Sequence, residues 1–196
     1  MIKYRMTEKR RKTKKIMSKT IIYSARHGET DFNVQFCLCG RLDIPLTEKG
    51  IEQAHILAES LTDKGIEKIY CSDLCRAVVT AEIVGKKLGL QPIPDARLRE
   101  TAFGTMECRK RNDPEYLRRS QSFAERFPEG ESILQSAHRV YGFLDEIIRD
   151  NQGKTLLLVS HGWTNKMIAS YFRDMTNEEF GSFVLPNCKL AQYEVE

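Results

Sequence analysis

The chain has 196 residues, enough for one domain with a sizeable core, and an ordinary globular composition of 41% hydrophobic and 30% charged residues. No apolar run approaches the roughly 18 residues of a membrane span, so no membrane partner is expected. The net charge of +4 belongs to one end: residues 1–19 hold nine Lys or Arg against Glu8 alone, so the rest of the chain is net acidic.

That basic stretch has two readings. It is an electrostatic arm for nucleic acid or anionic lipid, or an extension that takes no part in the fold. The second is favoured, because Met17-Ser18-Lys19-Thr20 would make a natural start directly before the first strand. Residues 1–19 are therefore expected to be a disordered basic extension, residues 20–196 a single domain, and nucleic acid no partner. The stretch lacks the apolar core of a secretory signal, so a cytoplasmic location is expected.

Thr20-Ile21-Ile22-Tyr23-Ser24 is short, β-branched and apolar, and predicts a buried strand. Arg26-His27-Gly28-Glu29-Thr30 follows at its end. Thr47 is a plausible N-cap for a helix with Ile51, Ala54, Leu57, Ala58 and Leu61 at helical spacing, and Gly65 closes that unit. Lys68–Cys71 predicts a short strand. A helix then runs from Ser72-Asp73 to about Leu88, with Gly89 as its stop.

Residues 91–130 contain Pro92, Pro94, Pro114 and Pro128 and little periodicity. They predict loop and lid, with a helix at 115–125. Residues 131–150 are strongly helical, with Ile133, Ala137, Val140, Tyr141, Leu144 and Ile148 on one face. Thr155–Ser160 is a second buried-strand run, and His161-Gly162 follows it. Helices near 164–171 and 177–183 and a strand at 188–194 complete the chain. This alternation predicts a three-layer α/β/α sandwich with a mostly parallel central sheet.

Two His-Gly pairs thus stand at strand ends far apart in sequence, where adjacent strands of one parallel sheet could bring them together. Strand ends are where open α/β sheets bind ligands. Arg26 adds a permanent charge and a planar donor fork suited to phosphate. A nucleophilic imidazole beside a phosphate clamp suggests phosphoryl transfer through a phosphohistidine. Arg76, near a helix N-terminus just after a strand, is well placed for an anion. Glu100, in Leu98-Arg99-Glu100, is a candidate proton donor, and Asn33 a candidate donor to a phosphoryl oxygen.

The six cysteines, Cys37, Cys39, Cys71, Cys75, Cys108 and Cys188, are expected to be reduced thiols. Their spacings do not match common zinc sites, and no metal is expected. His55 and His138 are read as half-exposed helix residues. Arg109-Lys110-Arg111 and Arg118-Arg119 either grip an acidic substrate or form a solvated lid surface.

Taken in order, several motifs resemble the histidine phosphatase superfamily, also called phosphoglycerate mutase-like. They are Arg26-His27-Gly28-Glu29-Thr30 with Asn33, Gly40, and Pro45-Leu46-Thr47 with Gly50 and Gln53-Ala54. Ser72-Asp73-Leu74 with Arg76-Ala77 and Thr80-Ala81, Leu98-Arg99-Glu100, Gly130-Glu131-Ser132 and Ser160-His161-Gly162 continue the series. The likeness covers roughly residues 20–194.

The resemblance implies that His27 attacks phosphorus, that Arg26, Arg76 and His161 hold the phosphoryl oxygens, and that Glu100 protonates the leaving oxygen and then activates water. Asn33 and Thr30 would complete the phosphate pocket, with Gly40, Arg41, Phe103 and Gly162 as further phosphate or substrate contacts. No cofactor is implied, because the basic cluster does the work of a metal. Three departures bear on the substrate. Trp163 stands where relatives often have a small residue, Cys108 where many have glycine, and Cys39 where some have threonine. Trp163 either narrows the pocket or packs in the core, and packing is favoured.

The leading expectation is a metal-independent phosphatase acting on small-molecule phosphomonoesters, as a monomer or homodimer. The alternative is a mutase that returns the phosphoryl group to its substrate. Mutases of this family carry a longer lid between the acid and the second histidine, and a short lid should admit water. The third reading is a non-catalytic protein that binds a phospho-ligand or nucleic acid.

Overall fold

The computed structural model describes residues 19–195; residues 1–18, most of the predicted basic extension, lie outside the described residues. The elements in chain order are β1 (Thr20–Arg26), α1 (Asp31–Val34), α2 (Glu48–Ser60), β2 (Lys68–Cys71), α3 (Cys75–Leu88) and β3 (Pro92–Pro94). Then follow α4 (Pro114–Arg119), α5 (Ile133–Asp150), β4 (Thr155–Ser160), α6 (Gly162–Phe172), α7 (Asn177–Ser182) and β5 (Leu190–Val195). The strand order is β3-β2-β4-β1-β5. All neighbours are parallel except β5, which runs antiparallel to β1.

Side chains alternate across this sheet and build two cores. Ile22, Leu156 and Leu158 point to one face and meet Val140, Phe143, Leu144 and Ile147 of α5 with Met167 and Ile168 of α6. Tyr23, Ala25, Leu157 and Val159 point to the other and meet α2 and α3 through Ala54, Leu57, Ala77, Ala81 and Val84. β1 and β4 are buried on both faces, which is why both read as continuous apolar runs rather than alternating ones. The result is the expected three-layer α/β/α sandwich.

Local chemistry sets the boundaries. Thr47 caps α2 through its Oγ1, which accepts from Gly50 N at 3.0 Å, and Gly89 ends α3 at φ 70°. Ser132 and Gln135 form a reciprocal capping box, so α5 starts at Ile133 and not at Glu131. α6 begins at Gly162, earlier than the predicted Thr164, because His161 already serves as its N-cap residue. The predicted helix at 115–125 is only α4: it starts on Asp113, whose carboxylate accepts from Glu115 N and Tyr116 N, and Ser120 ends it. The lid between is stitched by two single 3₁₀ turns, Ala96–Leu98 and Gly104–Met106. Cys108 has φ 71°, a left-handed conformation that costs a side-chain-bearing residue about 1 kcal/mol.

Candidate active site

β1 and β4 are neighbours, and their register pairs Arg26 with Ser160. Both strands therefore stop at the same level, and the next residue of each is a histidine. His27 N donates to Ser160 O at 3.0 Å, and the two imidazole rings lie 5.1 Å apart between centroids. The chain turns sharply after β1 because Gly28 presses against the backbone of Gly50, where a Cβ would collide with the Gly50 carbonyl.

His27 is almost wholly buried, and its Nδ1 lies 2.6 Å from the Gly28 carbonyl. A carbonyl can only accept, so Nδ1 carries the proton and Nε2 keeps a lone pair. Burial, then the charges of Arg76 and Arg26, hold the ring well below the ordinary imidazole pKa, although the Gly28 bond acts the other way. His27 is thus a neutral base with one tautomer. His161 is fully buried, with its proton affinity lowered chiefly by burial and then by Arg76, and neither ring nitrogen has a partner among the described residues.

Two arginines face the same spot. Arg76, 1% exposed, starts α3 and is held by Leu42 O at 2.7 Å and Gly40 O at 2.8 Å. Arg26 reaches Leu185 O at 3.5 Å. Burial pushes its pKa down to about 10, with the Arg111 charge adding and Glu100 opposing. The Nε atoms of both arginines are buried without a partner among the described residues. Glu100 is clamped to the start of α6: its Oε1 accepts from Thr101 N at 2.9 Å, Trp163 N at 3.1 Å and Thr164 N at 3.3 Å. A helix N-terminus is a favourable seat for a carboxylate.

Arg26, His27, Asn33, Arg76, Glu100, Phe103 and Gly162 line one crevice of about 180 Å³. His161 is fully buried and not among the lining residues; its ring stands beside that of His27. Three expected contacts lie elsewhere. Thr30 is fully buried and caps α1, holding Asn33 through its own N–H and Oγ1. Gly40 acts through its carbonyl on Arg76; its φ of 51° and the Glu107 side chain beside it leave no room for a Cβ. Arg41 does not line the crevice; its guanidinium pairs with Glu131 at 3.4 Å.

The crevice also has walls that sequence reading missed, chiefly Tyr116, Lys166 and the segment Phe183–Leu185. Trp163 both packs and lines: its indole N–H donates to Tyr116 Oη at 3.0 Å within a cluster with Phe103, Phe127 and Phe180, and its face is part of the wall. Lys166 is buried over the Trp163 and Phe180 rings and donates to Gly181 O at 2.5 Å. The lid cations separate cleanly. Arg109 pairs with Asp113 and Glu115, Arg118 and Arg119 pair with Glu125, and Lys110 caps Gln35 O. Arg111 alone among them lines the crevice, bonded only to Cys37 O, with no carboxylate partner among the described residues.

Cys39 lines the crevice too, its thiol pushed up to about 11 by burial. All six cysteines are free. His55 and His138 are exposed on α2 and α5, away from the site. Among the described residues no group of three or more His, Cys, Asp or Glu side chains is arranged to hold a metal ion, and no helix is long and apolar enough to cross a membrane.

This sheet order, with two histidines and two arginines converging at the carboxyl edge of its central strands, defines a phosphoglycerate mutase-like α/β enzyme fold. The chain belongs to the histidine phosphatase superfamily (branch 1), whose family model matches residues 22–196. It is 34% identical to the probable phosphoglycerate mutase GpmB of Yersinia pestis, over 89% of this chain and 85% of that one. A mycobacterial glucosyl-3-phosphoglycerate phosphatase structure superposes with a TM-score of 0.80 at 26% identity, covering 89% of each chain. An Entamoeba histolytica phosphoserine phosphatase mutant, solved with phosphoserine, superposes with a TM-score of 0.77 at 27% identity, covering 90% of this chain and 94% of that one.

Proposed function

We propose that this protein is a metal-independent phosphatase that hydrolyses small anionic phosphomonoesters through a phosphohistidine on His27. The observation that carries the reading is a set of orphaned polar groups at one point. The Nε atoms of Arg26 and Arg76 and both nitrogens of His161 are buried without partners among the described residues. Buried polar groups are normally satisfied, so this set calls for a ligand rich in acceptor oxygens, and a phosphoryl group is one.

The chemistry follows from the geometry. His27 Nε2 attacks phosphorus, the N–P bond forms and the ester P–O bond breaks. Glu100 enters this step protonated, gives its proton to the departing oxygen and becomes a carboxylate. Water then attacks the phosphohistidine, giving its proton to Glu100, and the N–P bond breaks to release inorganic phosphate. Arg26, Arg76, His161 and Asn33 hold the non-bridging oxygens throughout, so electrostatic positioning supplies most of the rate enhancement.

Charge narrows the substrate. Arg26, Arg76, Arg111 and Lys166 face the crevice against Glu100 alone. A phosphate dianion neutralises only part of that excess, so a leaving group bearing a carboxylate fits the aromatic wall and Arg111 together. The names of the relatives, which mention phosphoglycerate, glucosyl-3-phosphoglycerate and phosphoserine, agree with that class. The likeness to a mutase favours a second reading, in which the phosphoryl group returns to the substrate. A panel of phosphomonoesters, scored in parallel for phosphate release and for phosphoryl exchange, separates the two. Phosphate release from carboxylated esters supports the proposal; exchange without release replaces it with the mutase; neither activity overturns it.

A further inference from the structure

The segment between α7 and β5 has no obvious chemistry in sequence, yet it is laced to the end of β1. Cys188 N donates to Arg26 O at 3.0 Å, Leu185 O accepts from Arg26 Nη1, and Asn187 forms a bridge with Arg26. The Asn187 side chain reaches further. Its Nδ2 donates to His27 O at 2.7 Å and to Asn33 Oδ1 at 3.1 Å, bridging positions some 150–160 residues away in the chain.

These bonds orient two amides without ambiguity. The His27 carbonyl can only accept, so the Asn187 atom facing it is nitrogen. The Thr30 backbone N–H can only donate, and it meets Asn33 Oδ1 at 3.2 Å, so the Asn33 atom there is oxygen. The Asn187 donor meets that same oxygen. Both acceptor directions of Asn33 Oδ1 are thus taken, by Thr30 and Asn187, neither of which lines the crevice. Asn33 lines the crevice, and its Nδ2 has no acceptor among the described residues.

We propose that Asn187 is a positioning residue: it turns the Asn33 amide so that the NH₂, and not the carbonyl oxygen, faces the phosphoryl group. The inference rests on reading the crevice as a phosphate site. A reversed Asn33 would aim an acceptor at phosphoryl oxygens and repel them. Thr30 supplies only one of the two N–H donors that hold this oxygen, so without Asn187 the amide keeps a single anchor. The bond from Asn187 to His27 O contributes little to the ring itself, which Gly28 O already orients.

The test is a double-mutant cycle on the affinity of orthovanadate, an oxyanion that imitates the five-coordinate phosphorus, with the unfolding midpoint of each variant recorded. Asn33→Ala should weaken binding about tenfold to a hundredfold, the range for a hydrogen bond to a charged group. Asn187→Ala should weaken it about threefold to tenfold in the otherwise native protein, but less than about twofold when Asn33 is already alanine. Asn187→Asp is isosteric but can only accept, so it should recruit the Asn33 NH₂ away from the crevice and bind more weakly than Asn187→Ala. Its added charge repels the oxyanion in both backgrounds and cancels from the cycle. If Asn187→Ala unfolds the protein, the aspartate variant carries the cycle alone. Equal losses from the Asn187 substitutions with and without Asn33, or wild-type affinity in them, would overturn the inference while leaving the phosphate site intact. A native protein that binds no orthovanadate overturns the phosphate site as well.

Discussion

Glu100→Gln separates proton donation from every other task of this side chain. The structure says how little else should change. Oε1 of Glu100 accepts from three backbone N–H groups, of Thr101, Trp163 and Thr164. A glutamine carbonyl oxygen in the same place keeps all three. Oε2, the atom nearest Gly162, shares only the Trp163 N–H, which Oε1 already holds. The amide NH₂ therefore replaces the oxygen with the fewest obligations, and stability should fall by no more than about 1 kcal/mol. Activity should fall much further. General acid catalysis contributes roughly 10²–10⁴-fold, or about 3–5 kcal/mol of barrier. Single-turnover formation of the phosphoenzyme should slow by that factor with alkyl phosphates, whose alkoxides leave poorly without a proton. With an activated aryl phosphate the loss should be under about tenfold, since that leaving group needs little protonation. Rapid-quench measurement of acid-labile phosphoenzyme isolates this step from dephosphorylation, in which Glu100 also has a role. Equal slowing for both ester types would refute the assignment.

Three further outcomes are expected. His27→Ala should abolish both turnover and acid-labile phosphoenzyme with the fold retained; labelled phosphoenzyme persisting in that variant would mean another nucleophile. Exhaustive chelation should leave the rate unchanged, because Arg26 and Arg76 supply the charge that a metal would bring; loss on chelation with recovery on adding a divalent cation would contradict this. Stability should decline as pH falls below about 6.5, where the unfolded chain takes up protons that the buried, depressed His27 and His161 refuse, at up to about 1.4 kcal/mol per pH unit for each histidine until its folded pKa is reached. His161→Gln should flatten the melting-temperature profile between about pH 6.5 and 5, and an unaltered slope would show that His161 is not part of it.

The architecture was legible in sequence because its central strands are buried on both faces. Runs such as Thr20–Ser24 and Thr155–Ser160 have no other stable use, and a histidine after each marks the strand end. The helices around them were legible through apolar spacing and through caps whose chemistry is local: Thr47, Gly89, and Ser132 with Gln135. The lid was not. It contains no periodic face, and its course is set by single contacts such as Asp113 capping α4 and Trp163 meeting Tyr116.

The sequence by itself determined which groups are available and where each secondary element must place them: an arginine and a histidine at one strand end, a second histidine at another, an arginine at a helix start. Those choices depend on interactions between residues a few positions apart. Tertiary structure alone decided which of the basic residues meet. It chose Arg111 over its neighbours, drew Arg41 out to Glu131, brought Lys166 and Phe183–Leu185 to the crevice, and set Asn187 against Asn33. The difference is one of range: a cap or a strand is written in consecutive side chains, whereas Asn187 on Asn33 depends on how the whole sheet closes.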